Sequence, residues 1–270
     1  MAHNFIEMAA VTDVGSVRQF NEDCVVTDPE IGVAVLADGM GGHRAGEVAS
    51  HMAAQIIFSD LQSQDPQFQL GAGSQSSLRA LDLSINRANT AVFEAARAQS
   101  TYHGMGTTVA LAVFYDDRVA LGHIGDSRIY RFRNDALQLL TRDDSLLLDQ
   151  IELGLISAAD ARDSHNRSLV TQALGIAENI RAHVREDDAL PGDIFMLCSD
   201  GLNELVGDAD IELIVRALKS NLPLAANYLV QAAKDNGGYD NVSVILARVG
   251  KPLPAANLRR WIARRFRWLR

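Results

Sequence analysis

Four aspartates stand at the mouths of apolar runs, each close to glycine. Asp38 follows IGVAVLA and precedes GMGG, and Asp126 closes ALGHIG. Asp200 follows DIFMLCS and precedes Gly201, and Asp240 sits between GGY and the apolar stretch NVSVILARV. Glycine lets the backbone turn sharply and approach a ligand closely. A carboxylate buried in such a place must be neutralised by a cation or by a hydrogen-bond network. One Asp at a strand end is an ordinary turn residue, but four in the same setting point to a convergent cation site. Oxygen ligands with no cysteine or paired-histidine signature suit magnesium or manganese rather than zinc. A second cluster, RQFNED (18–23), sets Arg18 beside Glu22 and Asp23. Guanidinium pairs well with phosphate, and Glu22 offers a further metal oxygen.

These residues need strands to carry them. Period-two and continuous apolar patterning predicts early strands over 5–13, 24–28 and 31–38, then helices over 45–61 and 77–99. Four β-rich runs follow at 107–115, 118–126, 128–133 and 137–141, and a polar, weakly periodic stretch at 142–166 reads as a helical excursion or flap. Strands near 180–187, 193–199 and 242–249 enclose helices near 208–220 and 223–235. Strands in runs with paired helices between them do not give βαβ alternation. They suit an α+β fold of two packed sheets flanked by helix pairs.

Composition narrows the function. About half of the 270 residues are apolar and mean hydropathy is near zero, as in water-soluble domains. Only Cys24 and Cys198 are present, which is no disulfide framework and too few for a cysteine zinc site, so a cytoplasmic setting is expected. The chain carries a net charge of −9, but from Lys251 onward there are one Lys and six Arg with no acid. The first 250 residues therefore sit at −16, which argues against nucleic acid as a partner. On a helix, Leu258, Trp261, Ile262 and Leu269 of the basic tail fall close together. That pattern suits an anionic membrane surface, an acidic partner or the acidic body of the same chain.

The ordered motifs resemble the metal-dependent protein phosphatase family of type 2C, in its compact bacterial form. The matching segments are TDVGSVRQFNED (12–23), ADGMGGHRAGEVAS (37–50), GMGTT (104–108), GDSRIY (125–130), LTRDDSLL (140–147), GDIFMLCSDGL (192–202) and GGYDNVSVI (237–245). The resemblance implies a phosphatase domain over 1–250, with a flap at about 142–166 and the tail 251–270 outside it. Its fold would be a four-layer α-β-β-α sandwich of two mainly antiparallel sheets. It implies two Mn²⁺ or Mg²⁺ ions and a third, weaker one.

By position, Asp38 would bridge two metals, and Glu22 with the Gly39 carbonyl would complete the second metal's ligands. Asp200 and Asp240 would hold the first metal, and Asp126 with Asp200 the third. Asp23 would orient metal-bound water from behind the ligands, and Arg18 would bind the substrate phosphate. The implied reaction is direct attack of a water activated between two cations on phosphoserine or phosphothreonine. Its substrates would be phosphoproteins made by a Ser/Thr kinase. Oligomeric state is not read from the sequence, and a monomer is the default expectation. Cys198 reads as core, not as a nucleophile.

Two positions depart from the family pattern. Met40 stands where many members carry a histidine after Asp-Gly, with His43 nearby, and Asp144 stands where bacterial members usually read Asp-His-Ser. The remaining histidines (His3, His51, His103, His123, His165 and His183) show no shared ligand spacing and are not assigned to metal. A catalytically silent relative would have lost metal carboxylates, and none is lost. A different two-metal hydrolase acting on nucleotides or nucleic acid is disfavoured by the acidic body.

Overall fold

The computed structural model describes residues 5–42, 44–63, 65–68, 70, 74–157 and 169–250. His3, His43, His165, the last part of the expected flap and the basic tail lie outside the described residues. Strands β1 (Ile6–Asp13), β2 (Asp23–Asp28) and β3 (Val33–Met40) come first, followed by helices α1 (Ala45–Gln62) and α2 (Ser74–Ala98). Then come β4 (Gly106–Thr107), β5 (Val109–Tyr115), β6 (Arg118–Ile124), β7 (Arg128–Arg133) and β8 (Ala136–Leu139). After the short helix α3 (Leu146–Glu152) the chain forms β9 (His183–Asp188) and β10 (Ile194–Cys198). Helices α4 (Asp200–Asn203), α5 (Asp208–Leu218) and α6 (Leu222–Asp235) precede the last strand, β11 (Val242–Val249).

The strands make two sheets, ordered β1-β11-β10-β7-β8 and β2-β3-β5-β6-β9, with β4 paired to the end of β3. Every pairing is antiparallel. The sheets stack face to face. Ala34, Leu36, Ala110 and Ala112 of one meet Phe195, Leu197, Ile245 and Ala247 of the other in a shared core. The alternate residues of the same strands point outward and meet helices: Val33, Val35 and Ala37 pack with α1 and α2, and Met196, Cys198, Val242 and Val244 pack with α5 and α6. Both faces of the central strands are therefore covered, which explains their near-continuous apolar runs and gives the expected four-layer α-β-β-α sandwich.

One local feature differs from the sequence reading. β3 does not stop at Asp38: it runs on to Met40 because β4 pairs with it, Gly39 opposite Thr107 and Met40 opposite Gly106. Asp38 is thus held within a strand, with backbone fixed on both sides. The start of the expected flap is ordered by α3, whose N-cap Ser145 accepts a hydrogen bond from the Leu148 N–H through its hydroxyl at 3.3 Å.

Candidate active site

The ends of β3, β6 and β10 and the start of β11 open at one edge of the sandwich. Glu22, Asp38, Asp126, Asp200 and Asp240 line a single cavity of about 260 Å³ there, together with Arg18, Gly39 and Met40. All of the proposed metal-ligating residues are thus brought to one place. Among the described residues Arg18 is the only basic one lining the cavity, and its guanidinium donates to Asp240 Oδ2 at 2.6 Å. A larger groove, about 980 Å³ and lined by Phe20, Arg44, Val48, Met52 and Tyr102, lies on the α1 side and contains Glu47 as its one carboxylate among the described residues.

Asp38 and Gly39 are positioned through their backbone. The Asp38 carbonyl accepts the Thr108 N–H and the Thr107 hydroxyl, both at 2.8 Å, and the Asp38 N–H donates to Thr108 Oγ1 at 3.2 Å. The Gly39 N–H donates to the Glu22 carbonyl at 3.1 Å. A Cβ on Gly39 would fall 2.6 Å from that carbonyl oxygen and inside the Gly46 carbonyl as well. Glycine here is needed for close backbone approach. Asp200 begins α4, and Gly201 behind it packs against the Asn241 carbonyl, where no side chain fits.

Asp23 lies behind the cavity, fully buried. Its Oδ2 accepts the Ser199 hydroxyl at 2.8 Å, and Ser199 Oγ in turn accepts the Ser243 N–H at 2.9 Å. These bonds link β2, β10 and β11 directly beneath the carboxylates. Sequence reading missed the serines, Thr108 and Asn241. None is chemically conspicuous, and each acts through contacts between segments far apart in the chain.

Electrostatics mark the cavity as built for cations. Burial, then repulsion from Asp23, Asp200, Asp126 and Asp240, holds the Asp38 carboxyl well above the usual range. Burial, then Asp126 and Asp240, does the same to Asp200. Burial raises Asp126 to about 6, with Asp143 adding repulsion, and raises Asp23 to about 6 despite its hydroxyl partners. Glu22 is also raised, chiefly by burial. Among the described residues Glu22 Oε1 and Asp23 Oδ1 are buried without a hydrogen-bond partner. Buried oxygens left unpaired amid mutually repelling carboxylates fit hard divalent cations, and the donor set is all oxygen.

Other expectations resolve simply. Cys198 is buried in the core of the β1 sheet, with its thiol pushed up to about 12 by burial, so it is no nucleophile. His51 is exposed on α1, its Nδ1 3.0 Å from the Glu47 carbonyl. His123 and His183 do come together, contrary to the absence of any shared spacing, because β6 and β9 pair them directly. No described helix is long and apolar enough to cross a membrane.

A sandwich of this topology with a carboxylate cavity at the strand ends is the architecture of a metal-dependent phosphatase, and the chain belongs to the protein phosphatase 2C family, whose family model matches residues 15–232. The described domain is a Ser/Thr protein phosphatase domain of that type. It is 35% identical over 245 residues to the serine/threonine protein phosphatase PstP of Mycobacterium tuberculosis, covering 90% of this chain but 45% of that relative. The chain thus spans about half the length of PstP. It is 32% identical over 238 residues to the serine/threonine phosphatase stp of Listeria innocua, covering 87% of this chain and 92% of that one. The crystal structure of PstP superposes with a TM-score of 0.83 at 33% identity, over 91% of this chain and 99% of that one. A second structure, of the PstP catalytic domain with two manganese ions, gives 0.80 at 33% identity over the same shares.

Proposed function

We propose that the protein hydrolyses phosphoserine and phosphothreonine in proteins by direct attack of water, opposing a Ser/Thr kinase. The observation that carries this reading is the convergence of Glu22, Asp38, Asp126, Asp200 and Asp240 on one cavity beside Arg18. In this reading Asp38, Asp200 and Asp240, with Glu22 and the Gly39 carbonyl, hold two Mn²⁺ or Mg²⁺ ions, and Asp126 with Asp200 holds a third. Divalent cations bound there supply an acidified water and neutralise charge on a phosphoryl group.

The chain's own residues do the rest. Arg18 turns from Asp240 to the substrate phosphate, matching its oxygens with paired donors. The Asp38 backbone, clasped by Thr107 and Thr108, keeps the ligand geometry fixed, so little reorganisation accompanies phosphoryl transfer. Asp23, held by Ser199, faces the ligands from behind and accepts hydrogen bonds from water among them. Met40, at the cavity wall, has no proton to give, so the leaving oxygen takes its proton from water rather than from this side chain. We assign the basic segment 251–270 no role in hydrolysis. Both cysteines are free and buried, which accords with the cytoplasm, and we infer a monomer.

The test is phosphate release from a phosphothreonine peptide with manganese and with chelator, for wild type and Asp200→Asn. Turnover that needs metal and collapses in the variant supports the reading. Folded, metal-supplied wild type without turnover overturns it.

A further inference from the structure

Outside the carboxylate cavity the structure brings together a second set of metal-type donors. His123 on β6 and His183 on β9 are direct cross-strand partners, with ring centroids 5.7 Å apart. Asp144, in the turn that leads into α3, lies against both. One donor atom from each of the three residues lies within 4.8 Å of the others. None of the three lines the carboxylate cavity.

A simple ion pair does not account for this cluster. Asp144 Oδ1 is 3.0 Å from His183 Nε2 and also accepts from Gln172 Nε2 at 3.2 Å. His123, in contrast, is 3% exposed, and its Nε2 has no hydrogen-bond partner among the described residues. A contact with the Gly125 backbone serves the ring elsewhere. The result is a ligating arrangement: a buried imidazole with an unpaired nitrogen, grouped with a buried carboxylate and a second imidazole. His183 is half-exposed and forms the way in from solvent.

Two imidazoles and one carboxylate are a borderline donor set, preferred by zinc-class ions over magnesium or calcium. Three protein ligands leave a position for water. Metal–ligand bonds of about 2 Å place tetrahedral donors roughly 3.4 Å apart, and with every pair here within 4.8 Å small side-chain adjustments close the cluster. We propose that His123, Asp144 and His183 bind a zinc-class divalent cation at a site separate from the carboxylate cavity. The ion joins β6 and β9 to the root of α3. Asp144 is clasped to Gly125 twice, its N–H donating to the Gly125 carbonyl at 2.8 Å and its Oδ2 accepting the Gly125 N–H at 3.0 Å. Asp126 is the next residue, so the site braces the turn that presents one wall of the cavity.

The experiment uses the full chain, stripped with chelator, in excess Mg²⁺, with Zn²⁺ titrated against a chromophoric competitor and Co²⁺ read by visible absorption. An Asp38→Asn background weakens binding in the carboxylate cavity. Expected is one equivalent of zinc retained in Asp38→Asn and a Co²⁺ spectrum with nitrogen ligation. Adding His183→Ala weakens zinc by at least about tenfold and abolishes that spectrum. His123→Gln should do the same, and the exposed position of His183 keeps the test valid if the buried variant fails to fold. Zinc affinity unchanged by His183→Ala overturns the proposal. So does zinc binding lost with Asp38→Asn alone, or no binding by wild type.

Discussion

The side-chain oxygen of Asn241 accepts the backbone N–H of Glu22 at 2.8 Å, across a separation of 219 residues. Its amide donates to the carbonyls of Val14 at 3.0 Å and Phe20 at 2.9 Å. One buried side chain thus holds the loop that carries both Arg18 and Glu22 against the start of β11, next to Asp240. Asn241→Ala leaves three backbone groups without partners, at a cost of about 2–4 kcal/mol. It also frees Glu22 from its place. We expect a lower urea midpoint and at least about a tenfold rise in the manganese concentration needed for half activity. A variant with lower stability but unchanged metal dependence would show that Asn241 supports the fold without positioning Glu22.

Asn241 also shows where sequence reading stops. Asp38, Asp200 and Asp240 were legible because a charged residue bounding an apolar run is conspicuous, and the layers were legible because alternating faces of β3, β10 and β11 are apolar on both sides. The extension of β3 to Met40 was not, since it depends on pairing with Gly106 and Thr107, far along the chain. Ser199, Thr108 and Asn241 have ordinary side chains whose roles arise from long-range hydrogen bonds. His123 and His183 become neighbours only through the β6–β9 register, which no local spacing encodes.

Arg18 separates binding from stability. Its bond to Asp240 is short, but the two side chains are 51% and 37% exposed, so solvent screens the pair and it adds at most about 1 kcal/mol to folding. Arg18→Ala should leave the unfolding free energy within that range. For a phosphopeptide it should raise KM by about tenfold or more, because paired donors to the phosphate are lost. Arg18→Lys should recover only part, since ammonium cannot reproduce the planar fork. Unchanged KM in Arg18→Ala, measured by initial rates at saturating manganese, would remove Arg18 from phosphate recognition.

The buried carboxylates give the metal-free protein an unusual response to pH. Asp23 and Asp126 titrate near 3.8 when unfolded and at about 6 when folded, with burial the main cause. Between those values the folded state holds protons that the unfolded chain has released. Stability therefore falls as pH rises, on the order of 1 kcal/mol per pH unit for each group. Asp38 and Asp200, raised well above the usual range, extend the fall upward. Glu22, also raised by burial, adds to the fall, while His123, held neutral by burial, and Asp13, lowered beside Lys234, act in the opposite sense. Urea unfolding of chelator-treated protein should show lower stability at about pH 6.5 than at about pH 4.5, and manganese should restore it at the higher pH by binding the ionised form. Metal-free protein that is more stable at the higher pH would contradict these shifts.

Gly39 and Gly42 make a matched pair, three residues apart in the same segment. A Cβ at Gly39 meets the backbone carbonyls of Gly46 and Glu22, neither of which can swing aside without moving α1 or the Glu22 loop. A Cβ at Gly42 meets nothing within 4 Å. Gly39→Ala should therefore shift the Gly39 carbonyl and Glu22 together, destabilise the fold by about 1–3 kcal/mol and lower metal-dependent turnover by about a hundredfold. Gly42→Ala should stay within about 0.5 kcal/mol of wild type, as surface changes do. Denaturant melts and phosphate-release rates on the two variants measure both effects. Equal behaviour of the two would mean that close packing at Gly39 does not set the metal geometry, and that the Asp38 clasp by Thr107 and Thr108 suffices alone.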